Sequence, residues 1–128
     1  MGQQQLLLIV LGVIIVGIAV VVGINVFTAS SSQANRDATI SDLTNLASLA
    51  QQYYRKPTAL GGGGNTFTGW TLPGSLDTTG NGTYAITVAA QTVTLVGTGN
   101  ENGNNGTSAV QVTMVVGPDR ITSTTINN

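Results

Sequence analysis

Twenty-two consecutive residues, Leu6 to Phe27, carry one polar side chain, Asn25, and no charge. Wound as an α-helix such a run is about 33 Å long, against a bilayer hydrocarbon core of roughly 30 Å. The segment, LLLIVLGVIIVGIAVVVGINVF, is apolar on every side, so no face of it suits water. It must lie in lipid or among other apolar surfaces. The preceding MGQQQ lacks the Lys or Arg of a secretory signal, and Leu6 stands where N-myristoylation wants Ser or Thr. A membrane-spanning helix is therefore the expectation.

The helical period continues past this run. Ile40, Leu43, Ala47, Ala50 and Tyr54 recur at spacings of 3, 4, 3 and 4, flanked by Leu46 and Tyr53, with Arg36, Asp37 and Asp42 on other faces. No proline precedes Pro57, and no glycine falls between Gly23 and Gly61. Arg55 and Lys56 suit a helix C-terminus, and Pro57 is a natural stop. Residues 1 to about 55 are thus predicted as one rod, about 80 Å long at 1.5 Å per residue. Its apolar half covers 1–28 and its amphipathic half 29–56.

Residues 57–82 read as a glycine-rich loop, with GGGG at 61–64, Pro73-Gly74 and GNG at 80–82. Beyond it the period changes to two, over 83–128. Tyr84, Ile86 and Val88 alternate with Ala85 and Thr87, Val93 and Leu95 with Thr92 and Thr94, and Val110, Val112, Met114 and Val116 with Gln111, Thr113 and Val115. A last run, ITSTTI from Ile121, has the polar character of an edge strand. The breaks fall at 89–92, 97–107 and 117–120. The predicted fold class is α+β: a long N-terminal helix packed on a small four-stranded antiparallel sheet. The sheet's single apolar face needs a cover, and the Ile40–Tyr54 stripe is the available one.

Composition narrows the chemistry. The chain has no cysteine and no histidine, which removes disulfides, zinc, haem and any Cys or His nucleophile. Four basic residues cannot make the positive footprint of a nucleic-acid binder. No catalytic set, cofactor site or metal site emerges, and an enzyme is not expected. Charged residues are 7% of the chain against roughly 25% in ordinary domains, so much of the surface is expected to be hidden in an assembly or covered. A net charge of −1 also removes a barrier to close packing of identical subunits.

The remaining motifs have plain explanations. GGGG lacks the Gly-Lys-Ser/Thr of a phosphate loop and reads as a turning surface segment. Gly80, Gly82 and Ala85 match G-x-G-x-x-A, but strand residues follow where a dinucleotide site needs a helix. Glu101, with Asp77 if the loops meet, is thin for calcium, and Asn/Gly turn chemistry explains that loop better. Asn81 and Asn105 each open an Asn-Gly-Thr glycosylation sequon on an expected loop, though such triplets arise by chance in Asn/Thr-rich sequence. Tyr53, Tyr54 and Tyr84 are expected in the core, with Phe67 and Trp70 pinning the long loop to the helix.

MGQQQLLLIVLGVIIVGIAVVVGINVF followed by an amphipathic half-helix, a loop and an antiparallel sheet resembles a type IV pilin. The resemblance implies a subunit held in the inner membrane by its helix, extracted by the pilus assembly machinery, and polymerised with itself into a helical extracellular filament. The assembly interface would then comprise Gln5, Leu6, Leu7, Leu8, Ile9, Val10, Leu11, Val13, Ile14, Ile15, Val16, Ile18, Val20, Val21, Val22, Ile24, Val26 and Phe27. The sequence differs from the family pattern in having Gln5 for its usual glutamate, in starting at Met1 where the family precursor has a short basic leader ending in glycine, and in lacking a proline in the apolar half. Met1 is either the first mature residue of a longer precursor or the start of a chain used uncleaved. The missing proline favours a helix unbroken from about residue 3 to 55 after assembly. Two other classes fit the same features: a bitopic membrane protein with a small surface β-domain, and a secretion-system pseudopilin.

Overall fold

The computed structural model describes Gly2–Asn128; Met1, where the question of processing falls, lies outside the described residues. One helix, α1 (Gly2–Arg55), is followed by a 3-10 turn at Thr58–Leu60 and five strands. These are β1 (Thr78–Thr79), β2 (Gly82–Val88), β3 (Val93–Asn102), β4 (Ala109–Val116) and β5 (Ile121–Ile126). The class is α+β. Contacts divide the chain into two compact units, one ending at Ser31 and the other spanning Ser32–Asn128.

Within Ser32–Asn128 the strands form one sheet in the order β1-β2-β3-β4-β5, every pair antiparallel. The sheet therefore has five strands, not four. The extra one, β1, pairs Thr78 with Thr83 and Thr79 with Gly82 across the Gly80-Asn81 turn. Two residues are too few to display a period of two, so β1 is invisible in the hydrophobic pattern. β3 also runs further than expected, through Gly97 and Gly99, which the sequence assigned to a loop. Gly97 pairs with Val112 and Tyr84, and a side chain there would strike the Tyr84 ring and the Thr39 methyl. These glycines continue the strand because the helix and the tyrosine come close to its backbone.

The apolar faces meet as their periods require. Leu43, Leu46, Ala47 and Ala50 of α1 pack against Tyr84, Val93, Leu95, Val110, Val112, Met114 and Val116, with Ile40, Tyr54, Ile86 and Val88 half-buried around them. The spacing 43, 46, 47, 50 makes the buried stripe wider than one residue per turn, which brings Leu46 inside. Phe67 and Trp70 are buried in the same core, and the Phe67 ring tilts against Tyr54 at a centroid distance of 4.9 Å. β5 is exposed along its whole length at the sheet's edge.

The glycine run ends the helix. The last carbonyls of an α-helix have no partner within it. Here the chain doubles back: Gly63 N–H donates to Tyr53 O at 2.8 Å, Gly64 to Lys56 O at 3.0 Å, and Asn65 to Tyr54 O at 2.8 Å. Gly64 adopts a φ of 60°, open to glycine without strain, and a side chain on Gly63 would collide with the Thr66 carbonyl. Gly63→Ala is expected to destabilise the Ser32–Asn128 unit by about 1–3 kcal/mol through backbone displacement. Thermal denaturation of the variant checks this, and an unchanged midpoint would refute it.

Candidate assembly surface

The segment Leu6–Phe27 occupies α1, and none of its side chains is buried within the chain. Its large apolar residues range from 52% exposed at Ile14 to 74% at Phe27. Leu, Ile and Val at nearly every position leave the helix the same on all sides, so no stripe prefers the protein's own core. This helix is long and apolar enough to cross a membrane. Gln5 lies exposed at its N-terminal side, and Asn25 is the one polar group inside the run. A contiguous run of exposed large apolar side chains of this kind is the feature by which lipid-facing and chain-binding surfaces are recognised.

A second set of side chains, unmarked by any motif, fastens the strand end of the sheet to α1. Oδ2 of Asp42 accepts hydrogen bonds from Tyr84 Oη at 2.5 Å, Thr79 Oγ1 at 2.9 Å and Asn81 Nδ2 at 3.0 Å. Burial pushes the Asp42 carboxyl upward, but these donors outweigh it and hold the group below its ordinary value. Burial, and then the bond to Asp42, pushes the Tyr84 hydroxyl from 10.0 up to about 12. A lowered folded value means that Asp42 adds stability above its unfolded pKa and withdraws it as pH falls through the lowered folded value. Tyr84 adds stability below 10.0 and loses it as pH rises through about 12. Tyr84→Phe is expected to raise the Asp42 pKa and cost about 1.5 kcal/mol, the low end for a hydrogen bond to a charged group. A carboxyl titration followed by NMR tests the pair, and an unmoved Asp42 would show the contact carries nothing.

The helix also holds a buried cation. Arg36, expected on another face, is only 7% exposed. The 102–105 loop and the last residue cover it: Nη1 donates to Gln33 Oε1 and Nη2 to Asn104 Oδ1, both at 2.8 Å, and Nη2 reaches Asn128 O at 3.5 Å. Its Nε is buried with no partner among the described residues. Helix periodicity does place Arg36 on the inward stripe, four residues before Ile40 and seven before Leu43, but the polar groups that cover it arrive from residues far along the chain. Asn35 joins the set, donating to Asn81 O at 2.9 Å and accepting from Glu101 N–H at 3.2 Å.

Of the other residues singled out above, Asn81 is half-buried in the Asp42 network, whereas Asn105 sits exposed in the loop between β3 and β4. Glu101 and Asp77 are exposed, and no three Asp, Glu, His or Cys side chains cluster to hold a metal among the described residues. Phe67 and Trp70 pin the long loop, helped by Tyr53 Oη donating to Thr68 O at 2.9 Å. The network around Asp42 and Arg36 was not legible beforehand, because no motif marks its members and their partners lie far along the chain. Compared with protein-family models, with curated proteins and with solved structures, the chain matches none.

Proposed function

We propose that this chain is the structural subunit of an extracellular filament of the type IV pilus kind, a homopolymer built through Gln5–Phe27. The carrying observation is that the Ser32–Asn128 unit completes its core without Leu6–Phe27, whose side chains all remain open. A surface apolar on every side accepts lipid first and identical helices later, since both surroundings are apolar. Removing the run from water is worth tens of kcal/mol per subunit, roughly, at about 25 cal/mol per Å² and as an upper bound. The inner membrane holds the subunit before assembly, and a pilus assembly machine extracts it. The sheet unit, short of charge and rich in Thr and Asn, then forms the filament wall. Function here is mechanical, not catalytic.

Electron microscopy of the sheared and pelleted surface fraction tests this reading. Long filaments containing this chain are expected. The membrane-length helix also suits a bitopic surface protein, for which the chain would appear only in membrane vesicles and the filament reading would fall.

In the filament the helix is expected to stay unbroken from about residue 3 to 55. Gly12, Gly17 and Gly23 weaken it by about 1 kcal/mol each relative to alanine. Unwinding one turn in an apolar core instead strands about four backbone groups, at roughly 1–3 kcal/mol apiece. The second cost is larger. A filament density map with extended chain between Gly12 and Asn25 would overturn the expectation.

A further inference from the structure

Two Asn-Gly-Thr triplets, 81–83 and 105–107, match the acceptor sequence for N-linked sugar, and the fold treats them differently. The Asn81 amide is spent on structure. Its Nδ2 donates to Asp42 Oδ2 at 3.0 Å, the residue's backbone carbonyl accepts from Asn35 Nδ2 at 2.9 Å, and the residue is half-buried. Asn105 is exposed and oriented the other way. Its Oδ1 accepts from the backbone N–H groups of Thr107 and Ser108, each at 2.9 Å, and from Asn128 Nδ2 at 3.2 Å. Among the described residues nothing accepts from its Nδ2. The oxygen is turned to the protein and the nitrogen is left free, which is what a glycosylated amide needs, because the sugar takes one Nδ2 hydrogen and leaves Oδ1 untouched.

A cavity of about 380 Å³ lies beside it, lined in part by Thr98, Ser108, Gln111, Asn127 and Asn128. Its walls carry amides and hydroxyls with no charged side chain, and neutral donors and acceptors of this kind match sugar hydroxyls. The chain's sparse charge gives the same direction, since a covering of sugar supplies the hydration that charged residues supply elsewhere.

We propose that Asn105, and not Asn81, carries an N-linked oligosaccharide. The donor is a lipid-linked oligosaccharide phosphate. Asn105 Nδ2 attacks the anomeric carbon, the bond from that carbon to the phosphate oxygen breaks, and the lipid phosphate leaves with the electron pair. The amide proton passes to a base of the transferase. The proposal rests on the outward location of the Ser32–Asn128 unit in the reading above, and it names a modification that the filament reading alone does not require.

The test uses the chain isolated from its own cells, from both the membrane and the sheared surface fraction, with mass spectrometry of the peptide that spans Asn105. A saccharide on Asn105 is expected, with Asn81 unmodified. Thr107→Ser should keep the sugar and Thr107→Ala should abolish it, whereas Asn81→Gln should leave it unchanged. Bare Asn105 in both fractions, sugar on Asn81 instead, or sugar that survives Asn105→Gln would overturn the proposal. Filaments bearing bare Asn105 would refute this inference and leave the assembly reading standing; a glycosylated chain that never forms filaments would do the reverse.

Discussion

Ile14→Asp is expected to abolish filaments while the Ser32–Asn128 unit stays folded. Ile14 stands near the middle of the apolar run and is 52% exposed, outside the core of the Ser32–Asn128 unit, so the cost of a charge there is felt when neighbours or lipid surround it. An aspartate at the centre of a membrane helix costs about 2.5–3.5 kcal/mol for insertion. An unpaired carboxylate in a close-packed bundle costs several kcal/mol more, repeated at every subunit. Filament yield in the sheared fraction reads the effect, the membrane fraction shows whether the chain was inserted, and Trp70 fluorescence reports on the sheet unit. Ile14→Leu serves as the control. Wild-type yield from the aspartate variant would sink the assembly reading, because that reading packs position 14 among neighbouring helices.

Phe67→Ala is expected to have the largest effect on folding. Phe67 is fully buried, stacks at a tilt of 42° on Tyr54, and its N–H donates to Ala90 O at 2.9 Å. Truncating a buried phenylalanine costs about 3–5 kcal/mol, and a domain of this size has only about 5–15 kcal/mol in total. The melting midpoint of the full chain in detergent should fall by about 12 °C or more. Filaments should become scarce as a consequence, although the residue lies outside the assembly surface. A midpoint within a few degrees of the wild type would mean that the 57–82 loop does not hold the core closed.

The helix, its end near Arg55, the four longer strands and most of the core were legible in the sequence. Their signals are local: a switch of hydrophobic period from 3.6 to 2 after Pro57, and punctuation by proline and glycine. What was missed was of two kinds. β1 is too short for periodicity to register. Gly97 and Gly99 read as a turn because glycine usually marks one, while in the fold they stand where α1 and Tyr84 press on β3. The side-chain networks were invisible for a different reason. Asp42 meets Tyr84, 42 positions away, and Arg36 meets Asn104, 68 positions away, only once the intervening chain has folded back.

The sequence by itself determined that Leu6–Phe27 must leave water, since an uncharged helix apolar on every side has no other stable surroundings. It also determined that one helix face and one sheet face would close on each other, because both are apolar and neither can stand alone. Tertiary structure alone decided which polar groups are spent inside and which remain at the surface. Arg36, on the helix, is covered by a loop that arrives from far along the chain, and Asp42 is met by Thr79 and Tyr84 of the sheet. Asn81 and Asn105, which open the same Asn-Gly-Thr triplet, end with one amide nitrogen tied to a carboxylate and the other left without an acceptor among the described residues. Hydrogen bonding between distant segments depends on where the backbone returns, and no local pattern carries that information.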